Sequence, residues 1–338
     1  MAFDYRKDGM YIGHPDQLMT LHEGYLLGGY KEGVHFMEVH NGGNISAMVL
    51  PGRCMDIYQV RYKGQNLNFI GNGGITAAPY YDAQSNRWLR SFFAGMLTTM
   101  GLQNMGGSYT DASGDERGQH GRIANTPAEN VFYERGCEEG IPTITLCGTM
   151  REASLGRGNF TLKRVIRFRY GEDAMDVADT ITNHDYETRP FTYGLHLNYG
   201  YPLLEEGTRL LFEAQESIAL DEGSMPYLKD CHVMEAPRNQ QKNLEFLHKL
   251  KTDGNGLQQY TVFNEKRQLG VRVTCSGTDF PVFNEWKYLG KGEYVVALEP
   301  TVMDMDGPKL GQPGCPAPEL LPGESKTYHY RLEFVDRL

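Results

Sequence analysis

Apolar and polar residues alternate along many short segments of the chain, and glycine-rich turns separate these segments. Near the C-terminus, every second residue from Tyr328 to Phe334 is aromatic or aliphatic, whereas His329, Arg331 and Glu333 lie between them. Successive side chains of a strand point to opposite faces, so a period of two predicts strands with one buried face. The pattern therefore favours a fold built mainly from strands.

Two hairpins are predicted from this alternation together with the turn residues between the segments. In the first, residues 36–40 and 45–50 flank an Asn-Gly-Gly-Asn turn; in the second, residues 162–170 and 175–182 flank a Gly-Glu-Asp turn. Further strands are predicted at residues 54–62, 191–199, 260–264, 270–276, 294–299 and 328–335.

Helical periodicity is limited to residues 15–22, 86–95 and 244–251, and no internal repeat or linker divides the chain. We therefore predict a mostly β fold: a large antiparallel β-sandwich with few short helices, forming a single domain over residues 1–338. Residues 1–35 are expected to be an N-terminal extension that packs on the sandwich. The loops 71–86 and 106–121 are longer than ordinary connections, so they are expected to border a binding site.

Composition narrows the class of protein. The 338 residues are 40% apolar and 22% charged, a balance that supports a packed core and excludes a disordered or coiled-coil chain. The formal net charge of −10 disfavours nucleic acid and anionic membrane surfaces as partners. No segment has the apolar run of a membrane helix or a signal peptide, so a cytoplasmic location is predicted. The six cysteines include no C-x-x-C pair, which favours reduced thiols over a zinc site.

Candidate chemistry is concentrated in a few residues, because the common nucleotide-binding, serine-hydrolase and zinc-protease motifs are missing. His196 lies in the predicted strand 191–199, between Gly194 and Asn198. Alternation places His196 and Asn198 on the same side of that strand, and glycine beside a histidine predicts space for a ligand. The other interpretation is a hydrogen-bonded core histidine.

Glu299 is the second candidate, because it carries a charge at the end of the apolar segment 294–298. A carboxylate in such a segment must be paired or functional, unless the chain leaves the sheet there and exposes it. Burial would raise the pKa of this carboxyl and suit it to general base catalysis near neutral pH.

Other candidates are weaker when taken alone. His120 lies in a glycine-flanked loop, and Arg53 follows a turn between two strands, where its guanidinium could bind ligand hydroxyls or pair with an acid. Trp286 could stack on the face of a sugar or anchor the core. Arg53, Asn104, Asn198 and Trp286 are predicted to contact the ligand.

Three segments resemble the aldose 1-epimerase (galactose mutarotase) superfamily, and most closely its DUF4432-type branch: QHGRIANTPA, GLHLNYGYPLL and EYVVALEPTVMD. The resemblance implies a large sandwich, often called a supersandwich, that holds a carbohydrate over one sheet. By position, His196 resembles the superfamily's general acid at the ring oxygen, Glu299 its general base, and His120 the histidine that binds and polarises the sugar.

The expected activity is therefore the interconversion of sugar anomers by acid–base catalysis without a cofactor or a metal. The expected partner is a small-molecule sugar, and a homodimer stays open. The cations of Arg53, Arg122 and Lys287 leave open a phosphorylated sugar. Two alternatives also stay open: a metal-dependent sugar isomerase or lyase, in which two histidines and a carboxylate hold the metal, and a carbohydrate-binding protein without catalytic activity.

Overall fold

Three large antiparallel sheets contain most of the strand residues in the computed structural model, which describes residues 5–239 and 243–338 of the chain. The six-stranded sheet has the spatial order Ala214–Ala219, Asn243–Leu250, Val282–Gly290, Glu293–Thr301, Thr192–Tyr199 and Thr98–Leu102. The eight-stranded sheet has the order Arg209–Phe212, Leu257–Asn264, Leu269–Ser276, Ser325–Val335, Ala174–Asn183, Asn159–Arg169, Ile141–Ala153 and Glu129–Glu138. The five-stranded sheet has the order Thr20–Tyr25, His35–His40, Ile45–Leu50, Asp56–Tyr62 and Gln65–Asn66.

The remaining regular elements are short. Two two-stranded sheets pair Arg189–Pro190 with Glu319–Leu320 and Tyr109–Thr110 with Glu116–Arg117. One α-helix spans Tyr5–Asp8, and the 3-10 helices are Gly9–Tyr11, Pro15–Gln17, Gly29–Lys31, Ala78–Tyr80, Arg87–Arg90, Ile123–Asn125 and Met225–Asp230. Across the described part of the chain, no helix combines the length and apolarity needed to cross a membrane.

The three large sheets share one hydrophobic core. Its main cluster of buried side chains includes Leu197 of the six-stranded sheet, Val273 of the eight-stranded sheet and Val39 of the five-stranded sheet. Each of these side chains gains roughly 1.5–3 kcal/mol from full burial. The prediction of a mostly β, antiparallel sandwich with few short helices is therefore confirmed.

The core also contains a charged network. The guanidinium of Arg164 lies 2.9 Å from Asp56 Oδ1 and 2.7 Å from Asp179 Oδ2, and all three side chains are fully buried. Thr99 Oγ1 accepts a hydrogen bond from Arg164 and donates one to Asp56, and the Tyr193 hydroxyl donates to Asp179. The network thus joins the eight-stranded sheet to the two strands at one edge of the six-stranded sheet.

The predicted strands are found, but the helical predictions are mostly wrong. Residues 244–251 form the strand Asn243–Leu250, in which Leu244, Phe246 and Leu250 point into the core with a period of two. Residues 15–22 begin with a 3-10 turn and then enter a strand, and residues 86–95 contain only the 3-10 helix Arg87–Arg90. Packing in a sheet has overridden a weak helical pattern in the first case.

The predicted N-terminal extension, residues 1–35, contains an edge strand of the five-stranded sheet. Thr20–Tyr25 pairs antiparallel with His35–His40. Residues 1–4 lie outside the described part of the chain. The division into one domain stays a prediction.

Candidate functional site

A cavity of about 800 Å³ lies over the face of the six-stranded sheet that points away from the shared core. In the strand Thr192–Tyr199, Leu195 and Leu197 join the core cluster, whereas His196 lines the cavity. Residues of the loops 69–92, 106–120 and 305–306 complete its walls. The prediction that the two long loops border a binding site is consistent with this cavity.

The cavity brings His196 and Glu299 together. Leu197 pairs with Leu298, and Gly194 with Thr301, so the register of these neighbouring strands places His196 opposite Glu299. The imidazole Nε2 lies 3.2 Å from the carboxyl Oε1, and both side chains are almost completely buried. Two residues that are 103 positions apart in the sequence thus form one close pair in the sheet.

Burial favours the neutral forms of both partners. It lowers the pKa of His196 to about 4 and raises the pKa of Glu299 well above its ordinary value. The carboxylates of Glu245 and Asp306 add to the shift in the pKa of Glu299. The neutral forms together hold one exchangeable proton, and desolvation favours its position on Glu299 rather than on His196.

His120 and a group of aromatic rings surround this pair. The His120 ring centroid lies 5.6 Å from that of His196 and 4.8 Å from that of Trp88. The backbone N–H of Gly106 donates to His120 Nδ1 at 3.3 Å, which orients the ring. Burial, followed by the effect of His196, lowers the pKa of His120 well below its ordinary value. The ring is therefore neutral near pH 7.

Trp286 also lines the cavity, as its sequence context predicted for a ligand contact. Its ring centroid lies 5.8 Å from that of His196, and its indole N–H donates to Asn243 Oδ1. Its strand neighbour Tyr288 points into the same cavity, with the two ring centroids 5.8 Å apart and the ring planes at 25°. Together the two rings offer apolar surface on which sugar C–H groups can pack.

The cavity residues that were not predicted from the sequence include Trp88, Glu245, Asn284 and Asp306. Burial and nearby carboxylates raise the pKa of both Glu245 and Asp306. Asn284 lies opposite Glu299 in the sheet, and its Oδ1 is buried without a hydrogen-bond partner, as is His196 Nδ1. Buried polar atoms without partners are unusual, and ligand hydroxyls would satisfy them. The only sequence signal that could have placed Glu245 and Asn284 in the cavity is the alternation of apolar and polar residues along 243–250 and 282–290.

The prediction that Arg53 contacts the ligand is not supported by its position, because its side chain is buried outside the cavity. Its guanidinium donates hydrogen bonds to three backbone carbonyls, those of Thr76, Ser91 and Ala124. Two of these carbonyls belong to the 69–92 wall. Arg53 therefore holds the wall in place, because buried carbonyls require donors.

The two predicted asparagines also lie outside the cavity. The Asn104 amide donates to the carbonyls of Gly107 and Gly118, which fixes the loop that carries His120. The Asn198 amide donates to the backbone carbonyl of His196 at 2.9 Å. Both side chains are buried, so they support the site rather than line it.

The glycines beside His196 do not provide ligand space, contrary to the expectation from the sequence. A Cβ at Gly194 would meet Met100, Met105 and Thr301 at 2.8 Å, and one at Gly200 would meet the backbone of Phe69 at 2.5 Å. Close packing of neighbouring chain segments therefore explains both glycines.

The family described as a domain of unknown function, DUF4432, matches residues 31–334. The chain belongs to the DUF4432 family. No curated protein sequence matches it.

Solved structures show that this DUF4432 protein has a galactose mutarotase-like fold. A candidate aldose 1-epimerase from Klebsiella pneumoniae subsp. pneumoniae MGH 78578 superposes with a TM-score of 0.87 at 20% identity, over 95% of this chain and 86% of that chain. A galactose mutarotase-like protein from Clostridium acetobutylicum gives 0.64 at 13% identity, over 94% and 99%. Galactose 1-epimerase from Lactobacillus acidophilus NCFM gives 0.60 at 14% identity, over 94% and 98%.

Two groups of side chains in the described part of this DUF4432 protein bring three metal-ligand atoms within 4.8 Å of one another. One is His22, Glu38 and His40 on the five-stranded sheet; the other is Cys231, His248 and Glu285 in the core. Lys287 Nζ lies 3.1 Å from Glu285 Oε1, so an ammonium already neutralises the second group. The set of His120, His196 and Glu299 does not converge in this way. This geometry gives no support to the metal-dependent alternative.

His248 belongs to a buried polar group on the other face of the six-stranded sheet. The ring is buried, with Nδ1 2.8 Å from Ser217 Oγ and Nε2 3.2 Å from Glu285 Oε2. It lies on the core face of Asn243–Leu250 beside Phe246. The wrong helical prediction for residues 244–251 gave no indication that His248 lies on the core face of a strand.

Proposed function

We propose that this DUF4432 protein interconverts the anomers of a sugar at the His196–Glu299 pair. The observation that carries the proposal is a buried imidazole and carboxyl 3.2 Å apart in a cavity large enough for a saccharide. Mutarotation needs one group that accepts the proton of the anomeric hydroxyl and one that donates a proton to the ring oxygen. Both oxygens are bonded to C1 of the sugar, so two adjacent protein groups can serve them.

The proton count of the pair suits both halves of the reaction. With one proton on the pair, one member is an acid and the other a base. Ring opening moves a proton from the anomeric hydroxyl to the base, and another from the acid to the ring oxygen. The C1–C2 bond of the open aldehyde rotates, and ring closure on the other face reverses both transfers. Sugar and protein each recover their protons, and the bond that broke between C1 and the ring oxygen forms again.

The resemblance assigns the base role to Glu299 and the acid role to His196. This assignment requires the shared proton to lie on His196 when the ring opens, whereas burial favours Glu299. The 3.2 Å contact allows the proton to cross between them after the sugar binds. His120 would bind a sugar hydroxyl with its neutral ring, and Trp286 would pack against the sugar.

The test is to measure anomer interconversion directly. Freshly dissolved pure anomers of glucose, galactose, mannose, xylose and arabinose would be followed by polarimetry and NMR, with and without the protein. We expect at least one sugar to equilibrate faster in proportion to protein concentration. Binding of these sugars without any faster equilibration would instead indicate a carbohydrate-binding protein and contradict the proposal.

A further inference from the structure

The cavity floor, which is the face of the six-stranded sheet that lines the cavity, extends well beyond the catalytic pair. Along Glu293–Thr301, the cavity is lined at Glu299, at Val295 and again at Glu293. Glu299 and Glu293 are six residues apart, which corresponds to about 20 Å along a strand at ~3.3 Å per residue. A single pyranose ring with its C1 at the His196–Glu299 pair would cover one end of this floor. The remaining length extends away from the reacting carbon.

The part of the cavity floor that a single sugar ring would leave uncovered has the side chains of a sugar-binding surface. Trp286 and then Tyr288 follow one another along Val282–Gly290, with nearly parallel rings. Trp286 lies beside His196, so Tyr288 is the next ring away from the pair. At the far end, the Asn72 amide donates to Glu293 Oε1 at 2.9 Å and connects the wall loop to the sheet. Polar groups at that end can bind hydroxyls, while the rings pack against C–H faces.

Charge limits what can occupy this surface. Five carboxyl groups line the cavity, namely Glu245, Glu285, Glu293, Glu299 and Asp306, and within the described part of the chain no Lys or Arg does. Arg53, Arg122 and Lys287, the three cations that left a phosphorylated sugar open, do not line the cavity. Arg53 and Lys287 are buried with backbone carbonyl partners, and Arg122 is exposed outside the cavity. A phosphate or carboxylate on the sugar would therefore have no cationic partner among the lining residues that the structure describes, and any ionised carboxylate there would repel it.

We propose that the substrate is an uncharged oligosaccharide whose reducing-end ring reacts at His196–Glu299 and whose second ring packs on Tyr288. The inference rests on the proposed function for the reducing-end chemistry, but its binding part can be measured without turnover. Only the reducing-end ring has a free anomeric carbon, so the other rings must extend away from the pair, along the floor that Trp286 and Tyr288 form.

Calorimetric titration of the full-length protein with glucose, maltose, cellobiose and lactose tests the proposal. All three disaccharides carry glucose at the reducing end, so any difference from glucose reports the second ring. We expect at least one disaccharide to bind about fivefold or more tightly than glucose. Tyr288→Ala should reduce this ratio to about one, whereas Tyr186→Ala, which changes an exposed tyrosine outside the cavity, should leave it in place.

The outcomes separate this inference from the proposed function. Equal or weaker binding of all three disaccharides by the wild-type protein overturns the inference, whatever the folding of the variants. Tighter binding of glucose 6-phosphate than of glucose overturns the requirement for an uncharged sugar. A disaccharide preference without faster anomer interconversion contradicts the proposed function and leaves the inference standing.

Discussion

Glu299→Gln is expected to slow the catalysed interconversion of anomers by about 10²- to 10⁴-fold, the usual contribution of a positioned acid or base. Glutamine keeps the size of the side chain and can remain in contact with His196 Nε2. It cannot take up or release a proton in the relevant pH range, so the shared proton of the pair is lost. The initial rate from a pure anomer, corrected for the uncatalysed rate, measures the effect.

Two controls make this result specific. Glu213→Gln changes a carboxyl whose side chain is 79% exposed, and it should leave the rate unchanged. His196→Gln should slow the reaction to a similar extent, and the double variant should be little slower than either single one, because the residues act as a unit. An unchanged rate in Glu299→Gln would contradict the assignment of the pair.

Arg164→Met is expected to lower the free energy of unfolding by about 3–5 kcal/mol, the cost of removing one partner from a buried ionic network. The substitution leaves Asp56 and Asp179 buried next to each other without their guanidinium. Burial already raises the pKa of Asp56 to about 6, although Arg164 opposes the shift. Such a loss is a large part of the stability of an ordinary domain. Urea denaturation followed by circular dichroism measures it.

Arg167→Met provides the matched control on the same strand. Arg167 lies three residues further along Asn159–Arg169, and its guanidinium pairs with Glu138 at the surface. An exposed pair of this kind contributes ~0–1 kcal/mol. A similar, small loss of stability in both variants would show that the buried network does not stabilise the fold.

Most of the fold could be predicted because its strands alternate in a regular way. The segment from Tyr328 to Phe334 shows why: its apolar residues are buried as the period-two pattern requires. The prediction for residues 244–251 was wrong because these residues also satisfy a short helical pattern. Only the pairing with Val282–Gly290 selects the strand. Local sequence does not contain that pairing partner.

The candidate site was predictable only in part. His196 and Glu299 were predictable because each is a polar residue in an apolar strand, and the structure places them side by side. Arg53 and Asn104 also had polar, turn-rich contexts, but they bind backbone carbonyls behind the cavity. Sequence shows that a side chain can donate hydrogen bonds. It does not show whether a ligand or the backbone receives them.

The pH dependence of the catalysed rate tests the shared-proton pair most directly. Burial lowers the pKa of His196 to about 4 and raises that of Glu299 well above its ordinary value, so His196 adds a second proton to the pair only as the pH falls toward 4. His120, Glu245 and Asp306 also face the cavity, and burial shifts the pKa of each toward the neutral form. With folding checked by circular dichroism at each pH, the rate should show no decline as the pH falls through 6.5 and should then fall with a midpoint near pH 4. A midpoint near 6.5, the ordinary pKa of histidine, would contradict the account.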